Sequence, residues 1–420
     1  MHLLRSRSFA LLFTGYALNA IGSWAALMAM WGFASYRFHA DAGQIALLGL
    51  AWAVPSALIA PLSGVPIDRI GPRRVILAAY GAGAATSVAM AFAGSLHTLV
   101  LLGLLHGAVE AFARPAGDAL PPRLVDDSDL LAANALLGSA SESAIVFGPM
   151  LAAAAIALFG LRGAFIVDAA TFVIGIAAVA PLRLRARATA PTGAQDGGRV
   201  PLRRELTEGI RIARSTPVVR FTLALSAAVF LTWSTFMVIE PLYVRDVLHR
   251  SPTVFAFLQT AFGIGLVGTG LLLPRIGDRV ATTRALSMSV LLSGAAAATY
   301  IGTHSVVVAF IGVFLWGVDV AFYSAPSRTL LQRGSPAHAH GRVLALYRGL
   351  HSWSDVAALP MAALVAGSFG PRAAGLGIAA IAGVAGVLGL TRRAGRQPQV
   401  EALTTAVTSD PRLLVAAEPA

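Results

Sequence analysis

Among the ionisable side chains inside long apolar runs, eight are candidates: Glu110, Glu142, Asp168, Glu240, Asp319, Arg348, His351 and Asp355. A charge inside a bilayer is costly, so each of them is a site candidate by default. The chemistry open to such acids is narrow. A carboxyl group far from water persists cheaply only when it is protonated or paired, so it can trade a proton for a cation.

Residue types exclude other chemistries. The chain has no Cys, which removes disulfides, thiolate nucleophiles, Cys-ligated zinc and iron–sulfur clusters. All 32 basic residues are Arg. Without Lys, neither a G-x-x-x-x-G-K-[ST] phosphate loop nor a Schiff-base amine can exist, so P-loop ATP hydrolysis is out. The nine His are scattered, and neither H-E-x-x-H nor G-x-S-x-G occurs. No enzyme activity, metal or cofactor is expected. Uphill work must draw on another source, and an ion gradient is the usual one.

The elements that hold these acids must lie in lipid. The 420 residues are 56% hydrophobic and 12% charged, with mean hydropathy +0.73. A soluble domain carries about a quarter charged residues, so too little polar surface remains here to cover a water-soluble globule. A helix needs about 20 apolar residues to cross the hydrocarbon. Runs of that length recur near 9–36, 44–66, 75–94, 98–119, 131–158 and 163–182. A second set follows near 218–240, 253–273, 285–301, 305–327, 342–367 and 372–391. This predicts an all-α membrane protein of twelve transmembrane helices in two pseudo-symmetric six-helix bundles, residues 1–182 and 218–391. The first run exceeds the roughly 7–15 residues of a signal-peptide core, so the amino terminus is expected to be retained.

The net charge of +12 is concentrated on one side. With twelve spans, 26 Arg fall on the side of the termini and only five in the opposite loops. The positive-inside rule then puts both termini in the cytoplasm, and the expected location is the plasma membrane of a bacterium. Nucleic acid is not needed to explain the basicity. Residues 183–217 read as a linker followed by an amphipathic helix, with Leu202, Leu206, Ile210 and Ala213 at helical spacing. Residues 392–420 read as a disordered cytoplasmic tail. Expected partners are a small-molecule substrate, protons and membrane lipids, and the chain is read as a monomer.

The halves echo one another. Phe159-Gly160-Leu161-Arg162-Gly163-Ala164 resembles Phe369-Gly370-Pro371-Arg372-Ala373-Ala374, and Gly64, Arg69, Ile70, Gly71 and Arg73 recur as Gly270, Arg275, Ile276, Gly277 and Arg279. Repeats of this length point to a transporter with a midplane site between the halves.

The loop Gly64-Val65-Pro66-Ile67-Asp68-Arg69-Ile70-Gly71-Pro72-Arg73-Arg74 resembles the G-x-x-x-D-R-x-G-R-R loop of the major facilitator superfamily. Pro72 stands where an Arg is usual, and the echo has Pro274 in place of the Asp. Gly148-Pro149 resembles the Gly-Pro motif of superfamily exporters. Pro121-Pro122-Arg123-Leu124-Val125, Phe165-Ile166-Val167-Asp168-Ala169 and Gly341-Arg342-Val343-Leu344-Ala345-Leu346 look like the drug:proton antiporter branch that includes macrolide efflux pumps and the enterobactin exporter.

The resemblance implies proton-coupled export of small amphipathic compounds by alternating access. The alternatives are an importer or lipid transporter on the same fold, and a non-transporting membrane sensor or scaffold. It also implies that the first, fourth, seventh and tenth spans line a central cavity. Glu110 and Asp319 lie on two of them, 209 residues apart and roughly 18 and 21 Å from the outer ends at 1.5 Å per residue. Both are candidates to carry a proton, Asp319 slightly preferred because Arg114 would hold Glu110 ionised. His106, Glu110 and Arg114 share one helix face, so an ion pair is the competing reading. Glu240, Asp355, Asn19, Trp24 and Trp233 complete the expected cavity. Asp168 is expected to be structural. A conformational gate is expected at Gly64, Asp68, Arg69, Gly71, Arg73, Arg74, Arg114 and Asp118, with Asp68 contacting Arg114 or the helix that begins near Arg342.

Overall fold

The computed structural model describes residues 2–59, 62–185, 210–276, 280–336 and 339–391. The tail 392–420, most of the segment 183–217, Gly277 and Arg279 lie outside the described residues, as does the side chain of Glu142.

Every long element is helical, as the apolar runs require in a medium that offers no hydrogen-bond partners. The helices are α1 (Arg7–Gly32, prolonged by a π-helical turn Phe33–Arg37), α2 (Ala42–Ile59), the short α3 (Gly64–Ile70), α4 (Pro72–Ala91), α5 (Leu96–Asp118) and α6 (Leu130–Val179). After the central segment come α7 (Pro217–Asp246), α8 (Pro252–Ile276), α9 (Thr283–Ile301), α10 (Val306–Arg333), α11 (His340–Phe369) and α12 (Pro371–Thr391).

Two glycines show why α6 is not one rod. Its 50 residues would extend about 75 Å, more than twice the hydrocarbon thickness. Gly160 has φ 73° and ψ −178°, a region essentially restricted to glycine. On one side of it, a β-carbon on Gly148 would collide with Trp24 of α1; on the other, Asp168 and Thr171 abut Gly22 of α1. Residues 148 and 168 are therefore level on the same helix, and α6 doubles back at Gly160. Its echo Gly370 has φ 84° and ψ 159° and separates α11 from α12.

Among the described residues, nine helices are long and apolar enough to cross a membrane, where the sequence suggested twelve. The hairpin α6 counts once, and α2, an apolar helix of 18 residues, stands outside the nine. The helix α11 carries Arg342, Arg348, His351 and Asp355, which dilute its apolar character.

The buried core is divided unequally along the helices. At one end a single apolar cluster joins both sequence halves, with Trp31 and Ile45 packed in the same cluster as Leu242, Phe255 and Leu359. At the other end there are two clusters. One contains only residues between Leu3 and Leu184, among them Phe9, Ile76 and Leu124; the other contains only residues between Ile212 and Ala385, among them Val219, Leu286 and Tyr347. The halves are joined at the end of the 33–41 and 246–251 turns. They are parted at the end that carries the Arg-rich 69–74 loop.

Candidate functional site

Two cavities, one at the junction of the halves and one inside the first half, share Trp24. The larger, about 140 Å³, is bordered by α1 and α6 from the first half and by α7, α8 and α10 from the second. Its walls are aromatic: Trp24, Trp31, Trp233, Phe236, Phe262 and Trp316. Phe236 and Phe262 meet Trp316 edge to face at centroid distances of 4.5 and 5.8 Å, and the Trp316 indole donates to Ser293 Oγ at 3.0 Å, which fixes the ring. The carboxylate in this wall is Glu240, 5% exposed, accepting a hydrogen bond from Gln259 Nε2 at 2.6 Å.

Local sequence explains the shape. Gly148 lets α6 close on α1 at Trp24 and Ile21, and Pro149 follows it into the cavity wall. The Gly-Pro pair therefore sets the distance between α1 and α6 at the aromatic wall.

The smaller cavity, about 90 Å³, is polar and lies within the first half. Asn19, Ser23, Glu110 and Arg114 line it with Tyr16 and Tyr80. Glu110 accepts a hydrogen bond from Ser23 Oγ on α1 at 2.9 Å. The competing ion pair with Arg114 along the face of α5 is not formed at contact distance; the hydrogen-bond partner of Glu110 lies across helices. His106, one turn away, faces elsewhere: it stacks on Trp52 with centroids 4.7 Å apart and bonds Thr86 Oγ1 through Nδ1 at 3.1 Å. Asn19 is buried, and its Nδ2 has no partner among the described residues.

Asp319 does not share this arrangement with its repeat partner Glu110. It is buried against α9, where Ser289 Oγ donates to its Oδ1 at 2.8 Å. Asp319 borders neither of the two cavities. Asp355 is held by Ser234 Oγ at 2.5 Å, tying α11 to α7 beside Trp233. Asp168 is fully buried and accepts from Ser87 Oγ at 2.5 Å, inside the first half. Trp353 is 73% exposed.

The gate loop forms α3 and a tight turn at Gly71 (φ 88°) that starts α4. Gly64, Asp68, Arg69 and Arg74 are exposed, and Arg73 donates to the Ala180 carbonyl. Asp118 accepts from Tyr16 at 3.5 Å. The expected contacts of Asp68 with Arg114 or the start of α11 are not made: among the described residues Asp68 has no hydrogen bond or ion pair. The halves are apart at this end, so no partner is within reach.

The joined end is held by a residue that sequence reasoning passed over as an ordinary loop charge. Arg245, at the end of α7, donates through Nη1 to the Ser35 and Ala40 carbonyls of the first half at 2.7 and 2.9 Å. Asp246 holds the same guanidinium from Nε and Nη2 at 2.5 and 2.8 Å. Ser35 Oγ in turn donates to the Pro241 carbonyl at 3.3 Å. Arg245 thus binds one carbonyl of the π-helical turn and one in the segment that follows it. Trp316 and Gln259 were also missed. Trp316 was findable as an aromatic residue in the tenth apolar run; nothing in the sequence singled out Gln259.

The family model of the Major Facilitator Superfamily matches residues 12–354 and again 222–416. The chain is similar to the MFS-type transporter YfiS of Bacillus subtilis (strain 168), which is uncharacterised, at 20% identity over 339 residues, 79% of this chain and 80% of that one. Its fold is similar to a bacterial homolog of the human lysosomal transporter Spinster, solved inward-facing and occupied, at TM-score 0.68 and 14% identity over 92% of this chain and 96% of that one. It is also similar to a POT family transporter in complex with 5-aminolevulinic acid, at TM-score 0.68 and 11% identity over 91% and 95%. At these identities the solved structures establish a shared fold. An all-α, multi-pass membrane architecture, a cavity between joined halves and a family match along most of the chain agree: this protein belongs to the Major Facilitator Superfamily of secondary transporters.

Proposed function

We propose that the chain is a proton-coupled secondary transporter of a small amphipathic solute. Its halves, residues 1–182 and 218–391, would rock about the aromatic cavity. Counting α6 as two passes and including α2 and α11 would make twelve spans in two six-helix bundles, and the excess of Arg on the side of the 69–74 loop would put both termini in the cytoplasm. With the Arg-rich loops in the cytoplasm, the conformation is inward-open. The observation that carries this reading is the unequal core: one cluster shared at the outer end, two separate clusters at the inner end, and the solute cavity between them. Alternating access needs these two ends to exchange roles.

Direction is a separate matter. The Gly148-Pro149 pair implies export by resemblance. The solved neighbours favour the alternative, an importer or lipid transporter on the same fold. One is a homolog of a lysosomal transporter and the other is held with 5-aminolevulinic acid; neither is described as a drug exporter. Glu110 is the proposed coupling acid, since it lines the polar cavity next to the aromatic one, whereas Asp319 is tied to α9.

Proteoliposomes with an imposed pH gradient test the reading. Glu110→Gln should abolish gradient-driven accumulation and keep downhill exchange of the solute, while Asp319→Asn should keep both. Accumulation by Glu110→Gln at the parent level would remove the acid from the mechanism. The sign of the gradient that drives accumulation assigns import or export.

A further inference from the structure

We propose that the aromatic cavity is a binding site for a compact organic monocation, an ammonium group bearing methyl or aryl substituents, seated against Trp316, Phe236 and the Glu240 carboxylate. This deepens the proposed transport function and rests on the same cavity.

The argument starts from what lines the space. Four of the chain's six Trp border it, from both halves: Trp24, Trp31, Trp233 and Trp316. An aromatic face is electron-rich, and a cation over it is attracted electrostatically, most strongly over Trp and where water is absent. One acid, Glu240, stands among them, and no lining residue carries a positive charge. Its described hydrogen bond comes from Gln259, a neutral donor that orients the carboxylate without neutralising it. A carboxyl group this deeply buried holds a proton or meets a counter-charge, so a cation can take the proton's place. A monocation supplies that charge, and its substituents fill the apolar remainder. An anion would meet Glu240 and the faces of the rings, both repulsive.

The dimensions limit the class further. A cavity of about 140 Å³ is close to the roughly 150 Å³ that admits a benzene ring. The site therefore suits one aryl or alkyl ammonium group rather than a macrocycle, which is smaller than the compounds implied by the resemblance to macrolide pumps.

The test uses purified full-length protein in nanodiscs at pH 7.5, with no gradient. Three probes of similar size are titrated: phenyltrimethylammonium (cation), N,N-dimethylaniline (neutral at this pH) and benzenesulfonate (anion). Intrinsic fluorescence reports on the cavity because most of the Trp are in it. Phenyltrimethylammonium should bind at least about tenfold tighter than N,N-dimethylaniline, and benzenesulfonate should not bind. This comparison needs no variant, so a folding defect cannot obscure it. Glu240→Gln should then erase the preference for the cation over the neutral probe, and Trp316→Leu should weaken the cation about tenfold. Equal binding of cation and neutral probe, or a preference for the anion, overturns the proposal, as does an unchanged preference in Glu240→Gln. Binding is read without transport, so selective cation binding by a chain that moves nothing would sink the transport reading and leave this one intact.

Discussion

The two ends of this molecule are built from the same helices and behave in opposite ways. At the end of the 33–41 turn, residues of both halves share one apolar cluster, and Arg245 reaches across to two carbonyls of the other half. At the end of the 69–74 loop, each half closes on itself. There Arg73 donates through Nη2 to the Ala180 carbonyl and Arg185 to Asp126 at 2.5 Å, partners within the first half. The contrast shows where conformational free energy is held. Apolar burial cannot favour one end over the other if both ends can bury similar surface, so the balance falls to the few polar contacts that cross the junction.

The largest way to break this asymmetry is Arg245→Ala. Hydrogen bonds from a charged group contribute about 1.5–3 kcal/mol each, so losing two should move the closed-to-open ratio of the outer end by at least about a hundredfold. The chain has no Cys, so single pairs can be introduced and spin-labelled on an otherwise unchanged protein. Labels at Arg37 and Arg250 should report a longer outer distance in the variant. Arg245→Lys should fall between, because an ammonium group cannot serve Asp246 with two parallel bonds while reaching both carbonyls. An outer distance distribution identical to the parent's would mean that the shared apolar cluster alone holds this end shut.

A change between the ends should sharpen the comparison instead. Gly148 lies where α6 meets α1 at Trp24. Gly148→Val would push Trp24 away from the aromatic wall. Solute binding should weaken about tenfold, on the scale of a core overpacking penalty of 1–3 kcal/mol, while label distances at both ends change little. A large shift at either end would show that α1–α6 packing belongs to the gating motion.

Much of this contrast was legible in the sequence, and the part that was not has a physical explanation. The apolar runs located the helices, and the Phe159-Gly160 and Phe369-Gly370 repeat marked two backbone reversals of the same conformation. Trp24, Trp233, Glu240, Asn19, Glu110 and Pro149 do border the two cavities. Asp319, whose depth matches Glu110, borders neither cavity and is hydrogen-bonded to Ser289, a partner 30 residues away that no local pattern encodes. Arg245 gave no warning at all. Its role depends on a π-helical turn in the other half, 205–210 residues away, and no local pattern encodes a partner at that distance.

The smallest expected effect is at the open end, and it follows from what Asp68 lacks. In the described conformation its carboxylate is exposed and has no partner among the described residues. Asp68→Asn therefore removes nothing from this state. If Asp68 pairs with Arg114 or with the start of α11 once the inner end shuts, the substitution destabilises only that other state. A surface charge at a helix terminus contributes about 0.3–1 kcal/mol, so the inward-open population should rise about two- to fivefold. Turnover should fall by a similar factor because the return step slows, and solute affinity measured on the inward-open state should stay as it was, since Asp68 lies outside the cavity. Spin labels at Arg74 and Arg328 and a parallel uptake assay read both quantities. A population shift toward the closed inner end, or a changed affinity at unchanged turnover, would take Asp68 out of the gate and leave the balance of the two ends to Arg245.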